Sequence, residues 1–269
     1  MNGGTMRYLD GPRPRLFAHR GGARIAPENT LAAFEAGLAA GADRLELDVH
    51  ATRDGHVVVI HDPTVDRTTN GSGEVRSMTL AELQRLDAGF RFPGPTGDFP
   101  FRGRGVRVPA LAELLAAFPG VPLNIEIKQQ APAIEHAVLE VLDRFDAREQ
   151  VLLAAEEASI MERIRAAGPD VLTSFSALDV LNFVTAWHGG DLEAYRPPGA
   201  ALQIPPSFQD VALVTAESVA LAHRLGLEVH VWTIDEPDEM HALLDLGVDA
   251  LMSDVPGLAA EVLRRRGLR

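Results

Sequence analysis

The chain has 269 residues, 46% of them hydrophobic, enough to core one large α/β domain or two small ones. A formal charge of −13 argues against a nucleic-acid partner, whose phosphates need a basic stripe, and the only dense basic run, Arg264-Arg265-Arg266, reads as a solvated helix end. The absence of cysteine excludes disulfides, thiolate metal sites and a cysteine nucleophile. No apolar run reaches membrane-spanning length and residues 1–10 hold no apolar signal core, so the expectation is a cytoplasmic protein without integral membrane contact.

Residues 15–19 form a short apolar strand running into His19-Arg20-Gly21-Gly22. Asn29 or Thr30 can cap a helix in which Leu31, Phe34 and Leu38 recur at helical spacing. The next strand, residues 44–50, carries Glu46 and Asp48 two residues apart and therefore on one face. Asp54-Gly55 then signals a hairpin. A two-residue loop would pair Arg53 with His56 and set Asp48 across from His61, bringing two carboxylates and an imidazole to one patch. A three-residue loop would break that register and turn His61 away. Acidic residues alternating with Leu also describe a plain solvated strand face, so the patch depends on what the rest of the chain supplies.

Residues 62–108 are polar and Gly-rich, with a short helical piece at 79–86; a loop section this long inside a compact domain is usually functional or a small inserted subdomain. Thereafter strands and helices alternate: helix 111–118, strand 121–127, helix 132–145 opened by Pro132, strand 151–154 and helix 159–167. The pattern continues with strand 171–173, helix 178–187, strand 201–204, helix 216–225, strand 228–233, helix 236–246, strand 250–252 and helix 257–266. Eight strand-then-helix units with near-continuous apolar strands predict a (β/α)8 TIM barrel.

Such barrels carry their active sites at the C-terminal ends of the strands, which sorts the candidates. His19 ends the first strand, Glu46 and Asp48 the second, Glu126 and Lys128 the third, and Trp232 the seventh, while His61 returns beside the second. Singly, each has an ordinary explanation: a satisfied histidine at a barrel mouth, a Glu126–Lys128 ion pair, a packing tryptophan. Jointly they choose the same end. Glu46, Asp48 and Glu126 make an all-oxygen set suited to one hard divalent cation, Mg²⁺ or Ca²⁺, rather than zinc. Asp254, before Val255-Pro256, reads as an N-cap of the last helix. His50, His56, His136, His188, His223, His230 and His241 have no comparable placement.

His19-Arg20-Gly21, Pro27-Glu28-Asn29-Thr30, Glu46-Leu47-Asp48-Val49, His61-Asp62-Pro63-Thr64, Asp66-Arg67-Thr68-Thr69-Asn70-Gly71, Leu86-Asp87-Ala88-Gly89, Glu126-Ile127-Lys128 and Val231-Trp232-Thr233 resemble, in order, the glycerophosphodiester phosphodiesterase family. The resemblance runs from about Leu16 to Leu258. It implies a single catalytic barrel domain over 1–269 with a small insertion after the second strand, at about 62–108, and metal-dependent hydrolysis of small glycerophosphodiesters to sn-glycerol 3-phosphate and an alcohol. By matching position it gives Glu46, Asp48 and Glu126 as metal ligands, His19 and His61 as the general acid/base pair, and Arg20 and Lys128 as phosphate holders. Trp232 would pack on the glycerol carbons. Glu156 and Asp235 depart from the family's usual residues near where the alcohol or glycerol should sit, which bears on substrate choice. Lysophospholipase D-type or cyclising phosphodiesterase activity on the same scaffold is the alternative. A catalytically silent phosphodiester-binding barrel would be expected to have lost one of these histidines or carboxylates, and none is lost.

Overall fold

Short buried strands alternate with helices along the chain. In order these are β1 (Arg15–Ala18), α1 (Leu31–Ala39), β2 (Arg44–Ala51), β3 (Val57–Val59), α2 (Leu80–Leu83), α3 (Leu111–Ala117), β4 (Leu123–Ile127), α4 (Glu135–Arg144), β5 (Val151–Ala154) and α5 (Ala158–Ala167). There follow β6 (Leu172–Thr173), α6 (Ala177–Gly189), β7 (Ala201–Ile204), β8 (Ser207–Phe208), β9 (Val211–Ala212), α7 (Ala216–Arg224), β10 (Glu228–Val231), α8 (Pro237–Asp245), β11 (Ala250–Ser253) and α9 (Pro256–Arg265). The computed structural model describes residues 7–190 and 194–269; residues 1–6, part of the stretch read above for a signal core, lie outside the described residues. Among these, no helix is long and apolar enough to cross a membrane.

Eight parallel strands run in the order β6-β5-β4-β2-β1-β11-β10-β7, and a parallel bridge from Ser174 to Ala201 brings β7 back to β6. This is the expected TIM barrel. Strand parity divides the side chains. Leu16, Leu45, Leu47, Val49, Ile125, Leu153, Leu202, Val229 and Leu251 join the large core beneath the helices. Phe17, Leu152, Ala154, Ala201, Ala250 and Met252 fill the barrel interior with Tyr8. The same inward parity carries polar residues at both ends of the barrel.

At the N-terminal end the polar residues pair with one another, although Arg15 Nε and Arg44 Nε find no hydrogen-bond partner among the described residues. Arg15 Nη1 donates to Glu228 Oε2 at 2.8 Å, and His230 Nε2 donates to the same oxygen at 2.9 Å. Arg15 and Arg44 also hold the main-chain carbonyls of Leu9, Tyr8 and Asp10, tying the segment before β1 under the barrel floor. Tyr8 is thereby fully buried, its ring 6.1 Å from that of Phe17. His230, also fully buried, is held below its usual pKa by that burial against the pull of Glu228.

Three local expectations are corrected, and one element is added. The β2–β3 hairpin pairs His50 with Val58, so Asp48 lies opposite Ile60, not His61. The loop has three residues: Thr52 N bonds His56 O, Gly55 N bonds Thr52 O, and Gly55 takes the left-handed φ of +83°. Helix α4 begins at Glu135, because the Pro132 carbonyl accepts from Gln129 Nε2 at 2.8 Å and the chain turns helical only beyond it. The piece expected at 79–86 is one turn, capped by Thr79 with Glu82 closing a capping box. Finally, the loop after β7 contains the β8–β9 hairpin, whose turn residues Gln209 and Asp210 both take positive φ without the usual glycine.

Replacing Tyr8 with alanine should lower stability by about 3–5 kcal/mol, the usual cost of an emptied aromatic site, although Tyr8 is at the opposite end from the candidate site. Denaturant unfolding measures it; a loss below ~1 kcal/mol would show that the floor segment contributes little.

Candidate active site

After β1 the chain makes one tight turn, His19–Gly21, in which Arg20 takes a φ of +50°. The turn packs tightly on α1, where a glycine on each side allows the close approach. A Cβ on Gly21 would meet Ala33 Cβ at 2.7 Å, and one on Gly37 would meet the Gly21 carbonyl at 2.5 Å. The turn points the Arg20 main-chain N–H at Glu46 Oε2, 2.9 Å away.

Glu46, Asp48 and Glu126 do converge, with ligand oxygens all within 4.8 Å of one another. Asp48 and Glu126 are register partners on β2 and β4, and Glu46 precedes Asp48 on the same face. Asp48 is anchored on both sides by Asn29, which donates from Nδ2 at 2.9 Å and accepts from the Asp48 N–H at 3.2 Å. Asn29 was expected only as a helix cap; Thr30 performs that task, accepting from Ala33 N. Lys128 Nζ is 2.7 Å from Glu126 and 3.5 Å from Asp48, and Arg20 Nε is 3.4 Å from Asp48 without a hydrogen bond.

Burial works against three charges so close together. It pushes Glu46 up to about 7, helped by the neighbouring Asp48 and Glu126 charges. Burial likewise raises Glu126, with Lys128 opposing. Asp48 is held low despite burial, by Lys128 and Arg20. Three oxygen donors that cannot all ionise unaided fit a hard divalent cation, with Glu46 the group that must lose a proton on binding.

Two imidazoles flank this cluster. His19 Nδ1 lies 2.7 Å from Asp254 Oδ1, and its Nε2 is 3.9 Å from Glu46 Oε2. Burial lowers the His19 pKa, but Glu46 and Asp254 outweigh it and the net direction is up. His61 Nδ1 lies 2.7 Å from Asp62 Oδ1. A carboxylate at Nδ1 takes that N–H as donor and leaves Nε2 on each ring without that proton; on His19 it is Nε2 that lies toward Glu46. His61 reaches the cluster although its register does not place it there. It lies beyond the last pair of β3, where its carbonyl accepts from His50 Nε2 at 3.0 Å, and its charge is felt by Asp48 and Glu126.

Several residues escaped the sequence reading. Asp254 does not cap α9, whose N-cap is Val255 without a side-chain bond; it orients His19. Its presence at a strand end beside Ser253 was the available signal. Asp235 holds that loop, accepting from Ser253 Oγ at 2.9 Å and Asp254 N at 2.8 Å. His50, set aside above, anchors His61. Trp232 continues the inward parity of Glu228 and His230 one step past β10 and is 41% exposed, while Glu156 is exposed past β5.

The raised Glu46 value has a direct test. The folded protein retains a proton that the unfolded chain releases above 4.5, so the associated stability is present below 4.5 and lost as pH rises to about 7. A divalent cation replaces that proton. The gain in melting temperature on adding Mg²⁺ should therefore grow between pH 4.5 and about 7 and nearly vanish in Glu46→Gln. A gain independent of pH, or intact in the variant, would show that the cation binds elsewhere.

Residues 19–258 match the model of the glycerophosphoryl diester phosphodiesterase family. A glycerophosphodiester phosphodiesterase of Caldanaerobacter subterraneus is 33% identical over 94% of this chain and 98% of its own. Among solved structures, a glycerophosphodiester phosphodiesterase of Agrobacterium tumefaciens superposes with a TM-score of 0.73 at 28% identity, covering 92% of this chain and 99% of that one. An Oleispira antarctica phosphodiesterase, solved with its product sn-glycerol-3-phosphate, superposes with a TM-score of 0.76 at 28% identity, covering 94% and 97%. On the matched length, the fold and the converging acidic and histidine side chains, this chain belongs to the glycerophosphoryl diester phosphodiesterase family.

Proposed function

We propose that this protein hydrolyses glycerophosphodiesters to sn-glycerol 3-phosphate and an alcohol, with a divalent cation, Mg²⁺ or Ca²⁺, on Glu46, Asp48 and Glu126. The observation that carries the reading is the paired arrangement of the two imidazoles. Each is fixed at Nδ1 by its own carboxylate, Asp254 or Asp62, beside one buried acidic cluster. When bound, the cation offsets charge on the non-bridging phosphate oxygens.

The chain's own residues supply the rest. Phosphodiester hydrolysis forms one P–O bond to the attacking oxygen, from water or from the glycerol 2-hydroxyl by way of a cyclic phosphate that water then opens, and breaks another to the leaving alcohol. One imidazole Nε2 accepts the proton of the attacking hydroxyl, and the other returns a proton to the leaving oxygen. Arg20 brings a guanidinium whose Nε has no hydrogen-bond acceptor among the described residues, and Lys128 an ammonium, to the same mouth. An anionic substrate gives both a further partner. Trp232, exposed on the inward parity of β10, offers a flat apolar face to the glycerol carbons.

A second reading, lysophospholipase D-type activity, is favoured by apolar side chains exposed on two loops that follow barrel strands: Phe208 (61%) and Val211 (51%) after β7, and Trp232 after β10. A long acyl chain would find apolar contact there. Glycerophosphocholine and lysophosphatidylcholine compared side by side decide which substrate has the higher kcat/KM.

With glycerophosphocholine, glycerol 3-phosphate release should require a divalent cation and stop on chelation. His19→Ala and His61→Ala should each lower kcat by about 10²–10⁴-fold. Combined, they should lower it little more than the worse single change, because acid and base act in one step. Turnover persisting in chelator, or in the double variant, would refute the proposal.

A further inference from the structure

Arg67 lies on the long segment after β3, outside the acidic cluster, yet its guanidinium links the two arms of the site. Nε donates to Asp62 Oδ2 at 2.7 Å and Nη2 to Asp62 Oδ1 at 3.0 Å. Nη1 donates to Glu28 Oε2 at 2.6 Å and Nη2 to Glu28 Oε1 at 2.7 Å. Each carboxylate then touches a site residue: Asp62 Oδ1 accepts from His61 Nδ1 at 2.7 Å, and Glu28 Oε1 accepts from Arg20 Nη1 at 3.1 Å. We infer that Arg67 is a positioning residue that fixes the His61 imidazole through Asp62 and the Arg20 guanidinium through Glu28, and so couples proton transfer to phosphate binding. This rests on the roles proposed above for His61 and Arg20.

The geometry favours that role over a purely stabilising one. The Arg67 side chain is half exposed, and ion pairs at that exposure contribute little to stability. Asp62 and Glu28 have no other side-chain hydrogen bonds among the described residues than those to Arg67 and to the site. Without the fork, each carboxylate would be free to rotate, and the group it orients would rotate with it. The anchor is firm where it leaves the segment: Val65 and Thr69 are fully buried, and Thr69 Oγ1 donates to Val65 O at 2.8 Å. Arg67 also draws Asp62 down to about 2, mainly through its hydrogen bonds, so Asp62 stays an acceptor for His61 across the neutral range. A lysine keeps the charge but cannot present two edges to two carboxylates.

The test separates the two arms. With Mg²⁺-loaded enzyme and glycerophosphocholine, Asp62→Asn should lower kcat by about 10–100-fold at nearly constant KM. Glu28→Gln should weaken glycerol 3-phosphate binding, read by calorimetry, by about tenfold, with a smaller loss in kcat than Asp62→Asn. Arg67→Lys should do both, and Arg67→Lys on top of Asp62→Asn should add almost no further loss in kcat. Melting temperatures within a few degrees of wild type confirm that the variants are folded; if Arg67→Lys melts lower, Arg67→Gln is substituted. Wild-type kcat and glycerol 3-phosphate affinity in the Arg67 variants, or losses that multiply in the double variant, would overturn the inference. Glycerol 3-phosphate binding also judges the Arg20 arm when turnover is absent: equal affinity in wild type and Arg67→Lys overturns it, whereas an inactive wild type with the tenfold difference overturns only the proposed reaction.

Discussion

Three carboxylates buried within reach of one another set the terms for the rest of the barrel mouth. Taking such charges out of water is costly unless cations or hydrogen-bond donors meet them. The chain meets that cost from every side: the Arg20 main-chain N–H on Glu46, both ends of the Asn29 amide on Asp48, and the Lys128 ammonium between Asp48 and Glu126. Even so, Glu46 stays protonated well above its usual range. The residual deficit makes the cluster a candidate place for a multivalent cation.

The two ends of the barrel show what distinguishes a site from a plug. Both hold buried charge on inward-facing positions. At the floor, Arg15, Glu228 and His230 answer one another, and the segment containing Tyr8 covers them. At the mouth, cationic and acidic groups are brought together but left open above the strand ends, with Trp232 exposed. The fold supplies the same parity at both ends; the covering segment makes one structural and the uncovered strand ends leave the other available for chemistry.

Strand parity was the part most legible in the sequence, because alternation on a buried strand leaves few choices of face. It set the Glu46–Asp48 face and the Glu126–Lys128 face, while the eightfold alternation of strand and helix pointed to the barrel. What resisted reading was settled by single hydrogen bonds between distant segments. Asp254 precedes a proline-started helix just as a cap would, and only the nearness of His19, 235 residues earlier, shows its other use. Asn29 is a good cap by type, yet its amide is drawn to Asp48 while Thr30 caps. Glu28 and Arg67 appear in the sequence as members of two separate motifs, and nothing local says that they meet.

The hairpin shows why a correct destination can follow from an incorrect route. Asp54-Gly55 is compatible with a two-residue turn and with a three-residue turn that ends on a left-handed glycine; the second forms, pinned by Leu80 N on Asp54 Oδ1 and Arg53 N on Met78 O. A strict ladder would then turn His61 away from Asp48. The strand ends first. Beyond Val59 the position of His61 is set by its carbonyl on His50 and its imidazole on Asp62, contacts that owe nothing to ladder register. Its orientation depends instead on Asp62 and, through Asp62, on the segment that carries Arg67. The long polar stretch after β3 therefore bears on the chemistry by holding an imidazole that the barrel alone would leave loose.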